Sequence, residues 1–287
     1  MSDTTYDSID EQPVVRVVDL VKRFDGHVIL DGVNLEVYPG ETVVIMGGSG
    51  CGKSTLLRHM IGALTPDEGR VELFGQDLSG LGEDGLNALR LRFGILFQSG
   101  ALFSSLTVAE NIALPLTEHT DLDAETIDIM VKIKLRQVDL HEAADMMPAK
   151  LSGGMKKRAG LARATAMDPE ILFYDEPSAG LDPVTSAEID KLIMDMSHKL
   201  NVTSVVVTHD MNSAFRIADR MAMLDTGSIV KVGPRSEFEA LRDGPVTGTE
   251  HLDLVRQFLR GDSEGPITAR RLSTGYEWDI LEAAGGY

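Results

Sequence analysis

The sequence predicts an α/β fold: a largely parallel sheet covered by helices on both faces, with an antiparallel β part ahead of it and a helical insert in its middle. Three observations lead there. Short apolar runs recur along the chain and are separated by helical stretches, the pattern of strands buried on both faces. One run, Thr42-Val43-Val44-Ile45-Met46, feeds a glycine-rich loop with a helical pattern behind it. Before that run, β-rich segments are punctuated by Gly26, Gly32 and Pro39-Gly40, as in antiparallel hairpins.

Taken in order, residues 1–12 are acidic, carry no apolar run and predict a disordered tail rather than a signal peptide. Residues 14–18 and 28–37 predict the antiparallel strands. A strand at 42–46 is followed by a helix from Thr55 to Leu64. Further buried strands are predicted at 94–97, 171–174, 204–207 and 221–224. Residues 106–168 break the strand rhythm and read as almost wholly helical, with apolar positions at Ile127, Met130, Val131, Ile133 and Leu135. The division that follows is a main domain over residues 13–235, with its helical part at about 106–168, and a C-terminal extension over 236–287. The extension reads as loop-rich except at 250–260. There Leu254, Val255, Phe258 and Leu259 share one helical face, with Gly261 as a stop. That face packs either on its own domain or on another chain.

Composition narrows the function classes. The chain has 287 residues, 43% of them apolar, enough to bury a core. Its 27 Lys and Arg face 45 Asp and Glu, a net charge of −18. A phosphate backbone repels such a chain, so nucleic acid is not an expected partner. Any phosphate must be held locally, by backbone N–H groups and a few cations. The single cysteine, Cys51, forms no internal bridge and fits a reducing compartment. No uncharged apolar stretch of about 18 residues occurs, so the expectation is a cytoplasmic chain that does not itself span a membrane.

Gly47-Gly48-Ser49-Gly50-Cys51-Gly52-Lys53-Ser54 satisfies G-x-x-x-x-G-K-[ST], with Thr55 following. In a chain of this composition the pattern is expected by chance only about 0.01 times. The glycines let successive N–H groups converge on phosphate oxygens, and the helix start adds its dipole. Lys53 bridges the β- and γ-phosphates of a nucleotide and the Ser54 hydroxyl ligates Mg²⁺. Asp175 and Glu176 end the strand at 171–174. Asp175 suits the Mg²⁺ shell through water, and Glu176 suits orienting or deprotonating an attacking water. His209 and Gln98 each follow an apolar strand, where α/β folds gather their sites. His209 is assigned to the γ-phosphate, and Gln98 to the metal and the catalytic group.

Leu151-Ser152-Gly153-Gly154-Met155 completes the set: Ser152 caps a helix running to Met167, and the glycines expose its free N–H groups. With the phosphate loop, Gln98, Asp175-Glu176, Asp182 and His209 in this order, residues 14 to about 235 resemble the ATP-binding subunit of ABC transporters. The resemblance implies a P-loop (RecA-like) ATPase core and a head-to-tail dimer with a second copy of the chain. Each ATP then lies between one chain's phosphate loop and Ser152, Gly153 and Gly154 of the other. It also implies that Phe24 stacks on adenine and that the loop at 178–182, ending in Asp182, signals between the two nucleotides.

Three stretches are similar to the ATPases of Mla-type (maintenance of lipid asymmetry) phospholipid transport. They are Met155 where most relatives carry glutamine, the segment 98–103, and the tail at 255–266. That resemblance implies a place on the cytoplasmic face of an inner membrane. It also implies three partners: a multispanning permease taking the groove near residues 98–106, an MCE-domain lipid-binding protein and a small STAS-domain protein. The alternatives are an ABC ATPase for amino-acid or lipoprotein cargo, a soluble ABC ATPase outside transport, and a nucleotide sensor that does not hydrolyse. Residues 272–287 carry only a possible reach to the second subunit.

Overall fold

A computed structural model describes residues 12–270; the acidic tail predicted at the N-terminus and the reach of residues 272–287 lie outside the described residues, save Gln12. The chain opens with β1 (Val15–Phe24), β2 (His27–Val37) and β3 (Thr42–Met46), then α1 (Lys53–Met60). Next come β4 (Glu68–Leu73), β5 (Gln76–Asp77), α2 (Glu83–Arg90) and β6 (Phe93–Leu96). The middle holds α3 (Val108–His119), α4 (Ala124–Gln137) and α5 (Gly153–Ala164). The second half runs β7 (Ile171–Asp175), α6 (Pro183–Leu200), β8 (Thr203–Val207), α7 (Met211–Ile217) and β9 (Arg220–Asp225). It ends with β10 (Ser228–Pro234), α8 (Arg235–Asp243) and α9 (Glu250–Arg260).

Two sheets result. The first is antiparallel, in the order β2-β1-β4-β5, and the second has the order β10-β9-β3-β8-β7-β6. In the second, β3 pairs in parallel with β8 and β9, β7 pairs in parallel with β6 and β8, and only β10 runs antiparallel, on the edge. Strand alternation divides the interior between two clusters. Val43, Ile45, Phe173, Val205 and Val207 face the cluster shared with the first sheet and α1. Val44, Met46, Leu172, Tyr174 and Val206 face the cluster shared with α3 to α9. A strand whose two faces are both buried has no polar alternation to show, hence the uninterrupted apolar runs in the sequence.

The predicted buried strands are all present, each within a residue or two. The hairpin is longer than predicted: β1 continues past Val18 through an irregular register, with Asp19 at φ 45°, to Phe24. Helix ends needed correction. α1 starts at Lys53 rather than Thr55 and stops at Met60 rather than Leu64, because Gly62 turns left-handed (φ 66°). α5 stops at Ala164 rather than Met167. Residues 106–168 form three α-helices joined by short 3₁₀ turns and loops. α3 begins at a capping box in which Thr107 and Glu110 satisfy each other's backbone N–H groups.

The expectation of a loop-rich start to the extension at residue 236 is overturned by α8, which follows directly on β10. α9 has its predicted bounds, and Gly261 ends it at φ 68°. On its apolar face Leu254, Val255 and Leu259 are buried in the second cluster, with Phe258 packed partly buried against it. Among the described residues no helix is long and apolar enough to cross a membrane.

Candidate functional site

The parallel strands deliver four loops to one end of the sheet, where ligands bind in open α/β folds. Residues 47–52 follow β3, residues 97–100 follow β6, Glu176 follows β7, and Thr208-His209 follow β8. Together they wall a hollow of about 590 Å³ lined by Gly47, Gly48, Ser49, Gly50, Gly52, Lys53, Ser54, Thr55, Gln98, Glu176 and His209, with Ile29 and Phe258. That volume lies in the range of nucleotide-sized ligand sites.

The loop is built for glycine by close approach. A methyl group on Gly47 would meet the Leu224 carbonyl oxygen at 2.1 Å, and one on Gly52, at φ 108°, would meet the Ile29 carbonyl oxygen at 2.9 Å. Replacing Gly47 by Ala therefore forces the loop off β9. The expected cost is roughly 1–3 kcal/mol of stability, together with loss of nucleotide binding. A thermal melt and a titration with a fluorescent ATP analogue check both. Lys53 is buried, and its Nζ donates to the carbonyl oxygens of Gly47 and Gly48 at 2.9 Å each. Cys51, in contrast, turns inward. It is 9% exposed, and burial pushes its thiol up from the usual range, which makes it a poor nucleophile for alkylating reagents.

The Ser54 hydroxyl donates to Asp175 Oδ1 at 3.1 Å. A hydroxyl and a carboxylate side by side are the hard oxygen donors Mg²⁺ prefers. Among the described residues no group of three or more His, Cys, Asp or Glu is placed to hold an ion. This donor set therefore fits an ion that completes its shell with water and phosphate oxygens. Glu176 sits at φ 50°, its side chain mostly buried, and its Oε2 lies 2.9 Å from His209 Nδ1. The His209 backbone N–H also donates to that oxygen at 3.4 Å. Gln98 is exposed and borders both this hollow and a shallower one lined by Phe97, Ser99, Asp175, Ala179 and Gly180.

Other predicted residues lie outside the hollow. Ser152 caps α5, accepting from the Met155 N–H at 3.2 Å, with Ser152 and Gly153 exposed and Gly154 buried against Thr185. Asp182 caps α6: the Thr185 hydroxyl and the N–H groups of Thr185 and Val184 donate to its carboxylate, which holds the carboxyl below the usual range. Phe24 is 42% exposed at the end of β1, not in the core, with Lys22 Nζ 5.4 Å from its ring centre. Met155 packs partly buried on the second cluster. Of the segment predicted to face a permease, Ala101 and Phe103 are exposed and Leu102 packs on the core.

Two features were missed in the sequence. Phe258 was visible only as part of an amphipathic face, and its place beside the phosphate loop comes from how α9 folds back. Lys157 lies on the buried stripe of α5 with Gly154, Gly160 and Leu161; that helical spacing could have marked it. Burial pushes its ammonium down to about 8, against the pull of the Asp175 and Glu176 carboxylates.

A phosphate loop, a hydroxyl–carboxylate pair and a carboxylate–imidazole pair at the ends of adjacent parallel strands define a nucleotide-binding ATPase cassette. The sequence profile of the ABC transporter family matches residues 30–179. The chain belongs to that family, as an ATP-binding subunit. It is 40% identical over 274 residues, 94% of its length and 98% of the relative's, to the intermembrane phospholipid transport system ATP-binding protein MlaF of Escherichia coli strain K12. Against MlaF of Haemophilus influenzae the identity is 38% over 271 residues, 94% and 99% of the two chains. The probable ribonucleotide transport ATP-binding protein mkl of Mycobacterium leprae is 42% identical over 253 residues, 88% of this chain and 70% of that one.

Among solved structures it is similar to the dimeric, post-hydrolysis state of the ATP-binding cassette MJ0796 bound to ADP and Pi. The TM-score is 0.71 at 32% identity, over 77% of this chain and 98% of that one. For cbiO1 of Clostridium perfringens, part of the ABC transporter complex cbiONQ, the TM-score is 0.74 at 31% identity, over 80% and 92% of the chains.

Proposed function

We propose that this chain hydrolyses ATP to power phospholipid movement between inner and outer membranes through a separate permease. One observation carries the reading: a hollow lined by the phosphate loop, Gln98, Glu176 and His209 occurs in a chain matching phospholipid-transport ATPases over nearly their whole length. Backbone N–H groups of residues 48–54 and the Lys53 ammonium hold the β- and γ-phosphates. Ser54, Asp175 and Gln98 hold Mg²⁺, which when bound neutralises charge on the phosphate oxygens. His209 engages Glu176 Oε2, leaving Oε1 to orient the attacking water, and the imidazole faces the γ-phosphate.

Phe24, exposed and flat, stacks on adenine. Ser152, Gly153 and Gly154 serve the nucleotide of a second copy, because they lie outside their own chain's hollow and present the free N–H groups of a helix start. Asp182 holds the loop between the two sites. ATP closes the dimer by giving both phosphate-binding surfaces one anion to share, and hydrolysis removes that bridge. The groove beside Gln98, with Phe97 and Phe103 exposed, receives a cytoplasmic helix of the permease.

Ribonucleotide cargo is the second reading, favoured by the mycobacterial relative. Purification of the tagged chain from detergent-solubilised membranes separates them. The expected companions are a multispanning permease, an MCE-domain protein and a small STAS-domain protein, with phospholipid in the extract. A permease lacking the MCE-domain protein and phospholipid would leave the ATPase assignment standing and overturn the cargo.

A further inference from the structure

Lys157 is a buried cation that the hydrolytic reading leaves unused. It lies one turn into α5, four residues after Gly153, and is 4% exposed. Its Nζ donates to the main-chain oxygen of Glu176 at 2.9 Å. The same oxygen accepts the Ala179 N–H at 3.2 Å, and the Glu176 N–H donates to the Val207 oxygen at 2.9 Å. Both main-chain polar groups of Glu176 are thus tied down at a residue whose φ of 50° a side chain tolerates poorly. Such a conformation persists only where its surroundings over-determine it. A position that needed only packing is served by Met or Leu, whereas an ammonium is costly to bury.

The helix that supplies Lys157 begins at the residues assigned to the second chain's nucleotide. Its first turn packs on the segment after Glu176: a methyl on Gly153 would sit 3.2 Å from Leu181 Cδ2, and one on Gly154 2.5 Å from Thr185 Cγ2. We propose that Lys157 is a positioning residue for hydrolysis, fixing the main chain of Glu176 and so the aim of its carboxylate from the helix that carries Ser152, Gly153 and Gly154. This rests on Glu176 as the water-orienting group. Seating of the first turn of α5 and aiming of Glu176 then move as one unit.

The test is steady-state hydrolysis by the full chain carrying Lys157→Met or Lys157→Arg, beside Glu176→Gln, with a thermal melt of each. Lys157→Met is expected to lower kcat about 10- to 100-fold, the scale of a misplaced reacting group, with KM within about threefold. Lys157→Arg, which keeps a donor, is expected to recover most of the loss. Parental kcat in Lys157→Met beside an inactive Glu176→Gln overturns the positioning role alone. Loss of kcat that Arg does not restore, with a matching fall in melting temperature, also overturns it, as a packing effect. Parental turnover in Glu176→Gln overturns the underlying reading instead. Should Lys157→Met fail to fold, Lys157→Gln takes its place, with the same outcomes read against Lys157→Arg.

Discussion

Glu176→Gln is expected to bind MgATP within about threefold of the parent and to turn it over about 10²- to 10⁴-fold more slowly, the usual span for loss of a general base. The substitution keeps the shape of the side chain and the hydrogen bonds of its main chain to Lys157 and Val207. What it removes is the negative charge that lies 2.9 Å from His209, the charge proposed to orient water. Binding should survive because the proposed phosphate clamp is the loop after β3, not the strand end of β7. With ATP bound and unspent, the variant should accumulate as a closed dimer. Radiolabelled phosphate release and equilibrium binding read the two effects separately. Unchanged release removes Glu176 from the chemistry.

Lys53→Ala strikes the other half of the site. The ammonium sits among glycine carbonyls, bonded to Gly47 and Gly48, so its loss takes away both the loop's inner clamp and the cation meant for the phosphates. A hydrogen bond to a charged group contributes about 1.5–3 kcal/mol, so affinity for ATP should fall about 10- to 100-fold. Turnover at saturating ATP should fall further, because the same cation faces the charge that grows in the transition state. Isothermal titration of MgATP measures the first effect, and parental affinity would sink the phosphate assignment.

How much of this was legible in the residues differs by element. β3, β7 and β8 are buried on both faces and announced themselves as apolar runs. The phosphate loop was legible because close approach of Leu224 and Ile29 leaves no room for side chains at Gly47 and Gly52. β4 was not legible: Glu68, Gly69 and Arg70 open it, and only Val71 and Leu73 of the strand are buried. α8 anchors itself by Phe238 alone among its buried residues, so no apolar stripe betrayed it. Pro234 occupies its N-cap position with no side-chain hydrogen bond, so no capping residue marked the start either.

In the site, residue types and order gave Ser54, Asp175, Glu176 and His209, but not their pairing. The Ser54–Asp175 and Glu176–His209 contacts join residues 121 and 33 positions apart, which only the parallel strand order brings together. Lys157 and Phe258 are the harder cases, since each matters through what a distant segment does beneath or beside it.

In the proposed dimer no single chain holds a whole site: the loop of one and Ser152, Gly153 and Gly154 of another share each ATP. The direct measurement is the mass in solution of the Glu176→Gln chain, with and without Gly153→Asp, in MgATP or MgADP. Gly153 is exposed at the start of α5, where an acid suits the helix dipole but repels phosphate. Glu176→Gln should double its mass from 31.1 kDa in MgATP but not in MgADP. The added Gly153→Asp should abolish that doubling while nucleotide still binds the chain's own loop. A dimer that forms equally well with Gly153→Asp, or the loss of nucleotide binding by the lone chain, would contradict it.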